Sequence, residues 1–393
     1  MEIFKPGIRF EFLKISKPLF TLSALLVLGS WVAVGTIGLN FGIDFDGGSE
    51  AVLEFKEGIE VSELKTAMLE AGLEAPEVVK FGIGEADVGK YFLRTRTVNL
   101  LTDVERKALK TSVVTALGQP LIWDDSSEMG NVIRVKYAES QEHEKIKAAA
   151  VAQSSFSADE LRVESAAAGS DTDFRIYLPG VKPKVERILK TKYADKFRQI
   201  SKFEAVGAAV GRQMRNQGVL SVIYALLGIL LYVSFRFDLR YSPGAVLALI
   251  HDVSITIGLY CVLGYEFNLP IIAALLAIVG YSLNDTIVVY DRIRESLKLG
   301  LGKNMTDSIN ISVSDCLSRT VLTSVTTFIA VFCIWWFGGG IIQNFAFAML
   351  VGVLIGTYSS IYIASPAVLF MDETIKERAE EAKAKALAAG GGA

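Results

Sequence analysis

Residues 267–290 read FNLPIIAALLAIVGYSLNDTIVVY, and this stretch decides the class of the fold. It contains a single ionisable side chain, Asp285. A helix crosses the hydrocarbon core of a bilayer with about 20 mostly apolar residues. The stretch therefore predicts a membrane-spanning helix that carries one carboxyl group inside it.

Other charge-poor runs lie on both sides of this helix. Residues 18–43 and 216–235 carry no charge, a third run contains only His251 and Asp252, and residues 320–371 form an uncharged run too long for one helix. The first run is longer than the apolar region of a signal peptide, so we interpret it as an uncleaved anchor and not as a cleaved leader. We predict a polytopic α-helical membrane protein with six transmembrane helices, near residues 18–39, 218–235, 243–264, 269–290, 317–337 and 341–370.

The segment between the first and second spans has a different composition. Residues 40–217 hold 25 Lys and Arg and 28 Asp and Glu, which is most of the 40 and 43 in the whole chain. Such a segment predicts a folded, water-soluble domain inserted between membrane helices. The predicted organisation is an N-terminal segment at 1–17, the first span at 18–39, the inserted domain at 40–217, a five-helix bundle at 218–371 and a charged tail at 372–393.

The inserted domain shows a repeated pattern of strands and helices. Between residues 49 and 125, apolar residues recur with the spacing of strands or of helices, and these segments follow the order β-α-β-β-α-β. The same order recurs between residues 129 and 207. This order is the ferredoxin-like pattern. We therefore predict an α+β domain of two tandem ferredoxin-like units, 49–125 and 129–207, with a seam near Ser126–Gly130.

The cationic residues of the short loops predict the orientation. Lys and Arg precede the first span, separate the second from the third, and follow the fourth and the sixth, whereas the opposite short loops have none. Short cytoplasmic loops of membrane proteins are enriched in Lys and Arg. Both termini are therefore predicted to be cytoplasmic, and the large domain is predicted to lie on the opposite side of the membrane.

Four ionisable residues inside the spans are the candidate functional groups, because charge within a membrane is costly. Asp285 and Arg319 are predicted at similar depth, so they can pair if their helices are neighbours. His251 and Asp252 lie near the middle of the third span. Each of these pairs has a purely structural alternative, in which it only holds helices together.

The polar residues around Asp285 favour a role in proton movement. Ser282 and Asn284 flank the carboxyl group along the chain and can solvate a proton or a water path. The sixth span has a small residue at every fourth position, at Gly352, Gly356 and Ser360, which instead indicates close helix packing.

Several enzyme classes are excluded by their motifs. A P-loop requires Gly at position 297 and Ser or Thr at 304, where this chain has Leu297 and Asn304. The three cysteines all lie in or beside spans, so no zinc cluster or disulfide is expected in the inserted domain. We expect no enzyme activity, no metal, no cofactor and no nucleic-acid partner.

Seven stretches of the sequence resemble the SecD/SecF family of protein-export membrane proteins, of the SecF type, which is related to the RND transporter superfamily. They are GIDFDGG at 42–48, FRFD at 235–238, GAVLALIHDV at 244–253, GYSLNDTIVVYDRIRE at 280–295, SRT at 318–320, FGG at 337–339 and GVLIGTYSSIY at 352–362.

The resemblance implies a function. It implies an RND-type half in the bacterial inner membrane with a periplasmic domain, using the proton-motive force to help export unfolded polypeptides. SecD, the SecYEG translocon, YajC and the lipid bilayer are the implied partners. Carried over by motif, Asp285 is the proton-carrying carboxylate, Arg319 its cationic counterpart, and His251 and Asp252 part of the same polar core.

The inserted domain differs from the usual pattern of the family, and two alternative functions remain open. The family's usual loop is one small α+β unit, whereas here the unit is predicted twice. An RND-type exporter of a small molecule or lipid, and a non-energised scaffold of the translocon, are the alternative functions.

Overall fold

The computed structural model of the chain describes residues 9–80, 89–98, 103–125, 132–152, 161–166, 170–178, 180–236, 241–338, 340–372 and 374. The chain forms two compact units. The first, residues 1–40 and 218–393, is called the membrane unit below, and the second, residues 41–217, the α+β unit. The predicted seam near Ser126–Gly130 and nearly all of the predicted charged tail lie outside the described residues.

Within the part of the chain that the structure describes, six helices are long and apolar enough to cross a membrane, as predicted. Three of them extend beyond their apolar parts, because helical hydrogen bonding continues into the charged flanks. The helices are α1 (Ser16–Thr36, preceded by a 3₁₀ turn at Phe12–Ile15), α7 (Ala208–Arg236), α8 (Ser242–Leu263), α9 (Leu269–Leu299), α10 (Met305–Phe337) and α11 (Gly340–Ser359), the last continuing through a π-helical turn at Ser360–Ala364 to Asp372.

The elements of the α+β unit follow the predicted order along the chain. Its helices are α2 (Ile43–Asp46), α3 (Val61–Glu70), α4 (Asp103–Leu117), α5 (His143–Val151) and α6 (Val181–Lys192). Its strands are β2 (Gly48–Phe55), β3 (Glu77–Lys80), β4 (Lys90–Thr95), β5 (Ile122–Asp124), β6 (Val132–Lys136), β7 (Arg162–Ser165), β8 (Asp173–Tyr177) and β9 (Phe197–Val206). Two further two-residue strands are β1 (Asn40–Phe41) and β10 (Glu266–Phe267).

The strands of the α+β unit form two four-stranded antiparallel sheets. Their orders are β3-β4-β2-β9 and β5-β6-β8-β7. In the first sheet, β2, β3, β4 and β9 are strands 1 to 4, which gives the spatial order 4-1-3-2. The second sheet has the same spatial order when β6, β7 and β8 are numbered 1 to 3 and β5, which precedes them in the chain, is numbered 4. Two ferredoxin-like modules are therefore present, as the sequence predicts.

The tandem division into 49–125 and 129–207 is wrong. Strand β9 pairs with β2 along its length, from Gly48 opposite Val206 to Phe55 opposite Phe197, so the last strand of the chain segment completes the first sheet. One module thus comprises β2–β4 with α6 and β9, and the other, residues 103–177, is inserted into it. Local periodicity gives the same order of elements for tandem and for nested modules, because it carries no information on which distant strands pair.

Two separate hydrophobic cores confirm the nested arrangement. The apolar face of α6, made by Val181, Val185 and Leu189, is buried against the first sheet with Leu53 and Leu93. The second core buries α4 and α5 against β6 and β8. Each module therefore buries two helices on one face of its own sheet.

The turn before β2 requires its two glycines. Gly47 and Gly48 have φ values of 79° and 138°, a region that L-residues with side chains rarely adopt. A Cβ on Gly48 would lie 2.6 Å from the carbonyl oxygen of Thr95, and one on Gly47 would lie 2.8 Å from the Cα of Ala208. The acidic sequence at 44–48 therefore forms a close-packed turn, with Ile43 and Phe45 buried.

A partly buried ion pair joins two strands of the inserted module. The Arg134 guanidinium on β6 donates to both carboxylate oxygens of Asp173 on β8, at 3.1 and 2.6 Å. These hydrogen bonds hold the pKa of Asp173 below its usual value. A carboxyl group whose pKa is lowered by folding stabilises the folded state above its unfolded pKa of about 3.9.

We expect this stabilisation to be lost as the pH falls through the lowered pKa of Asp173. Amide hydrogen exchange of β6 and β8 in the intact protein, corrected for intrinsic rates, should show reduced protection below about pH 4. Asp173→Asn should reduce protection at neutral pH and flatten its pH dependence. Asp171→Asn, which removes an exposed carboxyl group two residues earlier, is the control. The same pH dependence in Asp173→Asn would contradict this assignment.

Candidate functional site

A fully buried carboxylate connects three helices of the membrane unit. Asp252 on α8 has no exposed surface. Its Oδ1 lies 2.8 Å from Nδ1 of His251, and its Oδ2 accepts hydrogen bonds from Ser282 Oγ of α9 at 2.5 Å and Ser359 Oγ of α11 at 2.8 Å. Both oxygens of this carboxylate are thus engaged, which a buried charge requires.

His251 has one bound and one unbound ring nitrogen. Its Nδ1 contacts Asp252, whereas Nε2 is buried without a hydrogen-bond partner among the described residues. The ring lies against that of Tyr358, with centroids 6.0 Å apart. The Tyr358 hydroxyl in turn bonds to Ser23 Oγ and donates to the carbonyl of Leu19, so α1 also contacts this polar cluster.

Asp285 differs from Asp252 in its partners. The residue is 4% exposed, and its Oδ2 has no hydrogen-bond partner within the described part of the chain. It lies one helical turn after Ser282, on the same side of α9. Asp285 thus lies one helical turn from the serine that bonds to Asp252, and its own Oδ2 is unsatisfied among the described residues.

Arg319 lies on the neighbouring helix at about the same level as Asp285. The antiparallel helices α9 and α10 are aligned by the hydroxyl of Tyr281, which donates to Ser324 Oγ at 3.2 Å. Asp285 is four residues after Tyr281 on α9. In an antiparallel pair it therefore lies opposite the residue four before Ser324 on α10, which is Thr320. Arg319 is exposed and close enough to act electrostatically on Asp285, but between these two described residues there is no ion pair within 4.0 Å.

The structure brings together some of the sequence-predicted site residues and not others. His251, Asp252 and Ser282 form one hydrogen-bonded cluster, and Asp285 adjoins it. Asn284 is exposed and lies outside the cluster. The proton-coupling role assigned to these residues stays a prediction.

Sequence reasoning missed Ser359 and a second polar chain. Ser324 Oγ and Thr357 Oγ1 are 2.7 Å apart, and with Tyr281 they join α9, α10 and α11. The available signal was the polar run Thr-Tyr-Ser-Ser at 357–360 within an apolar helix. Polar residues inside membrane helices face one another more often than lipid.

A π-helical turn follows directly after Ser359. It covers Ser360–Ala364. Side chains bind carbonyl groups within it, since Ser365 Oγ donates to the carbonyl of Ser360 and the Tyr290 hydroxyl to that of Ala364, at 2.8 and 3.1 Å. Such turns are common at functional sites, and no residue pattern predicts this one.

Two glycines of α11 hold it close to α9, as the sequence predicts. A Cβ on Gly352 would lie 2.2 Å from Cγ1 of Ile278, and one on Gly356 would lie 3.1 Å from Cβ of Ser282. This close approach brings Ser359 and Ser282 within reach of the same carboxylate oxygen.

Among the residues that the structure describes, no three His, Cys, Asp or Glu side chains are grouped so as to hold a metal ion. The polar cluster can hold and exchange protons, because it combines an imidazole, two carboxyl groups and several hydroxyl groups.

Two family models match the chain. Residues 184–374 match the C-terminal part of the protein export membrane proteins SecD and SecF. Residues 32–59 match the SecD/SecF GG motif, which includes the turn at Gly47 and Gly48.

Curated relatives match almost the whole chain. Protein translocase subunit SecF of Desulfurispirillum indicum is 33% identical over 362 residues, which are 91% of this chain and 90% of the relative. The corresponding subunit of Koribacter versatilis is 35% identical over 390 residues, covering 95% and 94%. Protein translocase subunit SecDF of Thermus thermophilus is 43% identical over 198 residues, which are 50% of this chain and 27% of that protein.

Solved structures share the fold. The crystal structure of SecDF, a translocon-associated membrane protein from Thermus thermophilus, matches with a TM-score of 0.62 and 28% identity. The match covers 94% of this chain and 40% of that chain. A second SecDF structure, described as a super-membrane-facing form, matches with a TM-score of 0.56 and 28% identity over 98% of this chain and 41% of that chain.

We predict that Ser359→Ala destabilises the membrane unit by about 0.6–1.7 kcal/mol, because it removes an interhelical hydrogen bond to a buried charge. Thermal unfolding of the purified protein in detergent measures the change. Ser360→Ala is the matched control, since the Ser360 hydroxyl donates only to the carbonyl of Thr357 in its own helix. Equal stability of the two variants would contradict a role of Ser359 in holding α11 to α8.

We also predict that Gly352→Ala lowers the thermal stability more than Gly356→Ala. The first variant forces a methyl group into Ile278, whereas the second needs a shift of only a few tenths of an ångström at Ser282. Gly280→Ala is the control, because nothing lies within 4 Å of a Cβ at that position of α9. A loss in Gly280→Ala as large as in Gly352→Ala would show that helix packing is not the cause.

Proposed function

This chain belongs to the SecD/SecF family of protein-export membrane proteins, and on that premise we propose that it is a SecF-type subunit of the protein translocase, coupling the proton-motive force to polypeptide export. The matches to SecF subunits over nine-tenths of both chains support the assignment. We propose that it is driven by the transmembrane proton gradient and has no hydrolytic site or cofactor of its own.

A SecD-type protein is the proposed partner. The chain spans 40% of the length of the SecDF chain that it matches, and the remainder of that fused protein corresponds to a partner that this chain would bind separately. Because that SecDF is a translocon-associated protein, the similarity supports contact of this chain with the SecYEG translocon. YajC and the unfolded exported polypeptide are proposed from the family resemblance alone.

The proposed location is the bacterial inner membrane, with both termini cytoplasmic and the α+β unit periplasmic. The distribution of Lys and Arg supports this orientation. Arg236 at the end of α7 lies 3.8 Å from Asp291 of α9, so the ends assigned to the cytoplasmic side do lie together in the structure.

The proton-coupling proposal rests on the different hydrogen bonding of the two buried carboxyl groups, Asp252 and Asp285. Asp252 has a polar contact at each of its two oxygens, with His251 at one and with Ser282 and Ser359 at the other. Asp285 has an oxygen without a partner among the described residues, and an unpaired buried carboxylate is costly. Asp285 is thus the carboxyl group that gains most by taking up a proton.

The proposed coupling runs through α9. A proton that binds Asp285 removes its charge and with it the attraction to Arg319, so that α9 and α10 can repack. Ser282, one turn away, transmits the shift to Asp252 and Ser359. The span that carries Ser359 contains a π-helical turn directly after this residue, and such turns are common at functional sites.

The free energy released by one proton is large enough to break hydrogen bonds between membrane helices. A proton that moves through a potential of 100 mV releases about 2.3 kcal/mol. An interhelical hydrogen bond in a membrane contributes about 0.6 kcal/mol on average. One proton therefore supplies enough free energy to offset the loss of about three interhelical hydrogen bonds of this kind.

We expect Asp285→Asn to abolish proton-stimulated export. Secretion of a reporter polypeptide, measured with and without an imposed proton gradient, should fall to the level of membranes that lack this subunit. Asp285→Glu, which keeps a titratable group, should retain part of the stimulation. Full stimulation in Asp285→Asn would overturn the proton-carrying assignment.

Two controls separate this function from its alternatives. Co-purification with the SecD-type partner should be unchanged in Asp285→Asn, which shows that the defect is not one of assembly. A scaffold would tolerate Asp285→Asn combined with Arg319→Ala. An RND-type exporter would leave secretion intact and change lipid or drug levels when the subunit is deleted.

A further inference from the structure

A cleft lies where three membrane helices end on the same side. Its volume is about 540 Å³, and it is formed by the start of α1 with its preceding 3₁₀ turn, the start of α10 and the end of the last span. Among its lining residues are Arg9, Lys14, Lys17, Asn310 and Leu369. None of them belongs to the polar cluster around Asp252.

The cleft is built by specific contacts. The backbone N–H of Phe10 donates to Ser314 Oγ and that of Leu13 donates to Asn310 Oδ1, both at 3.1 Å. The ring of Phe12 meets the edge of Tyr362, with centroids 6.2 Å apart. The segment before α1 is therefore fixed to α10 and to the last span.

The charges that line the cleft favour an anion. The lining holds three cationic side chains and two carboxylates, Glu11 and Asp307, so cations are in excess by one. The ammonium group of Lys14 lies 3.5 Å from the carboxylate of Glu11. Neither Arg9 nor Lys17 has an ion-pair partner within 4.0 Å among the described residues, and both are exposed. Two cationic side chains thus remain available to one ligand.

The position of the cleft identifies the source of that anion. The uncharged run of the first span begins directly after Lys17, so the cationic groups lie at the level where lipid headgroups meet hydrocarbon. Leu13, Ile311 and Leu369 supply an apolar part of the wall. This combination of phosphate-binding and apolar groups matches a phospholipid and not a fully soluble anion.

We propose that this cleft binds the phosphate of an anionic phospholipid headgroup through Arg9 and Lys17, with the upper acyl chain against Leu13 and Leu369. The ligand holds the N-terminal segment, α10 and the last span together at the membrane surface. This site is independent of proton coupling at Asp285, and neither proposal depends on the other.

Native mass spectrometry of the full-length protein in detergent tests the site. The probes are dioleoyl phosphatidylglycerol, dioleoyl phosphatidylcholine and inorganic phosphate. The wild type should retain phosphatidylglycerol in preference to phosphatidylcholine. Arg9→Gln combined with Lys17→Gln should weaken phosphatidylglycerol binding about 10- to 30-fold, because each cation near an anionic lipid contributes about 1 kcal/mol.

The matched control is Arg294→Gln combined with Lys298→Gln. It removes one Arg and one Lys from α9 on the same side of the membrane and outside the cleft, and it should leave phosphatidylglycerol binding unchanged. Circular dichroism verifies that both double variants keep their helix content. Equal retention of the two lipids, an equal loss in the control, or displacement of phosphatidylglycerol by millimolar inorganic phosphate would each overturn the proposal.

Discussion

The membrane unit depends on one constraint, which is that a charge without access to water must find all its hydrogen bonds within the protein. Asp252 meets this constraint with a contact to His251 of its own helix and with hydrogen bonds from Ser282 of α9 and Ser359 of α11. Because the three helices must all place a side chain at one carboxylate, hydrogen-bonding distances restrict how far each helix can shift along its axis or rotate. The glycines of α11 make this convergence possible by permitting close approach to α9.

The same constraint distinguishes the surroundings of Asp285 from those of Asp252. Its neighbours leave one oxygen unsatisfied, so the residue is stable only if it is neutral or if a cation such as Arg319 compensates it. This difference is the basis for proposing Asp285, and not Asp252, as the proton-carrying group. The two carboxyl groups thus differ in their contacts, since Asp252 has partners at both oxygens and Asp285 has an oxygen without one among the described residues.

The α+β unit obeys a different rule, because its sheets are formed by pairing of strands far apart in sequence. Strand β9 closes the first sheet beside β2, so the inserted module at 103–177 begins and ends within the outer module. The order of elements was predictable from apolar periodicity, and the described helices and strands of the two modules follow that order. The partition into tandem halves was wrong, because it assumed that neighbours along the chain share a sheet.

The amino-acid sequence alone determined the six spans, the inserted α+β segment, and the residues His251, Asp252, Asp285 and Arg319 as exceptions within the apolar helices. It could do so because the cost of burying charge in a bilayer acts on each segment separately. Only the tertiary structure decided that Ser359 completes the shell of Asp252, that Asn284 lies outside it, and that β9 belongs to the first sheet. These facts depend on contacts between distant segments, whose geometry is set by packing and not by local composition.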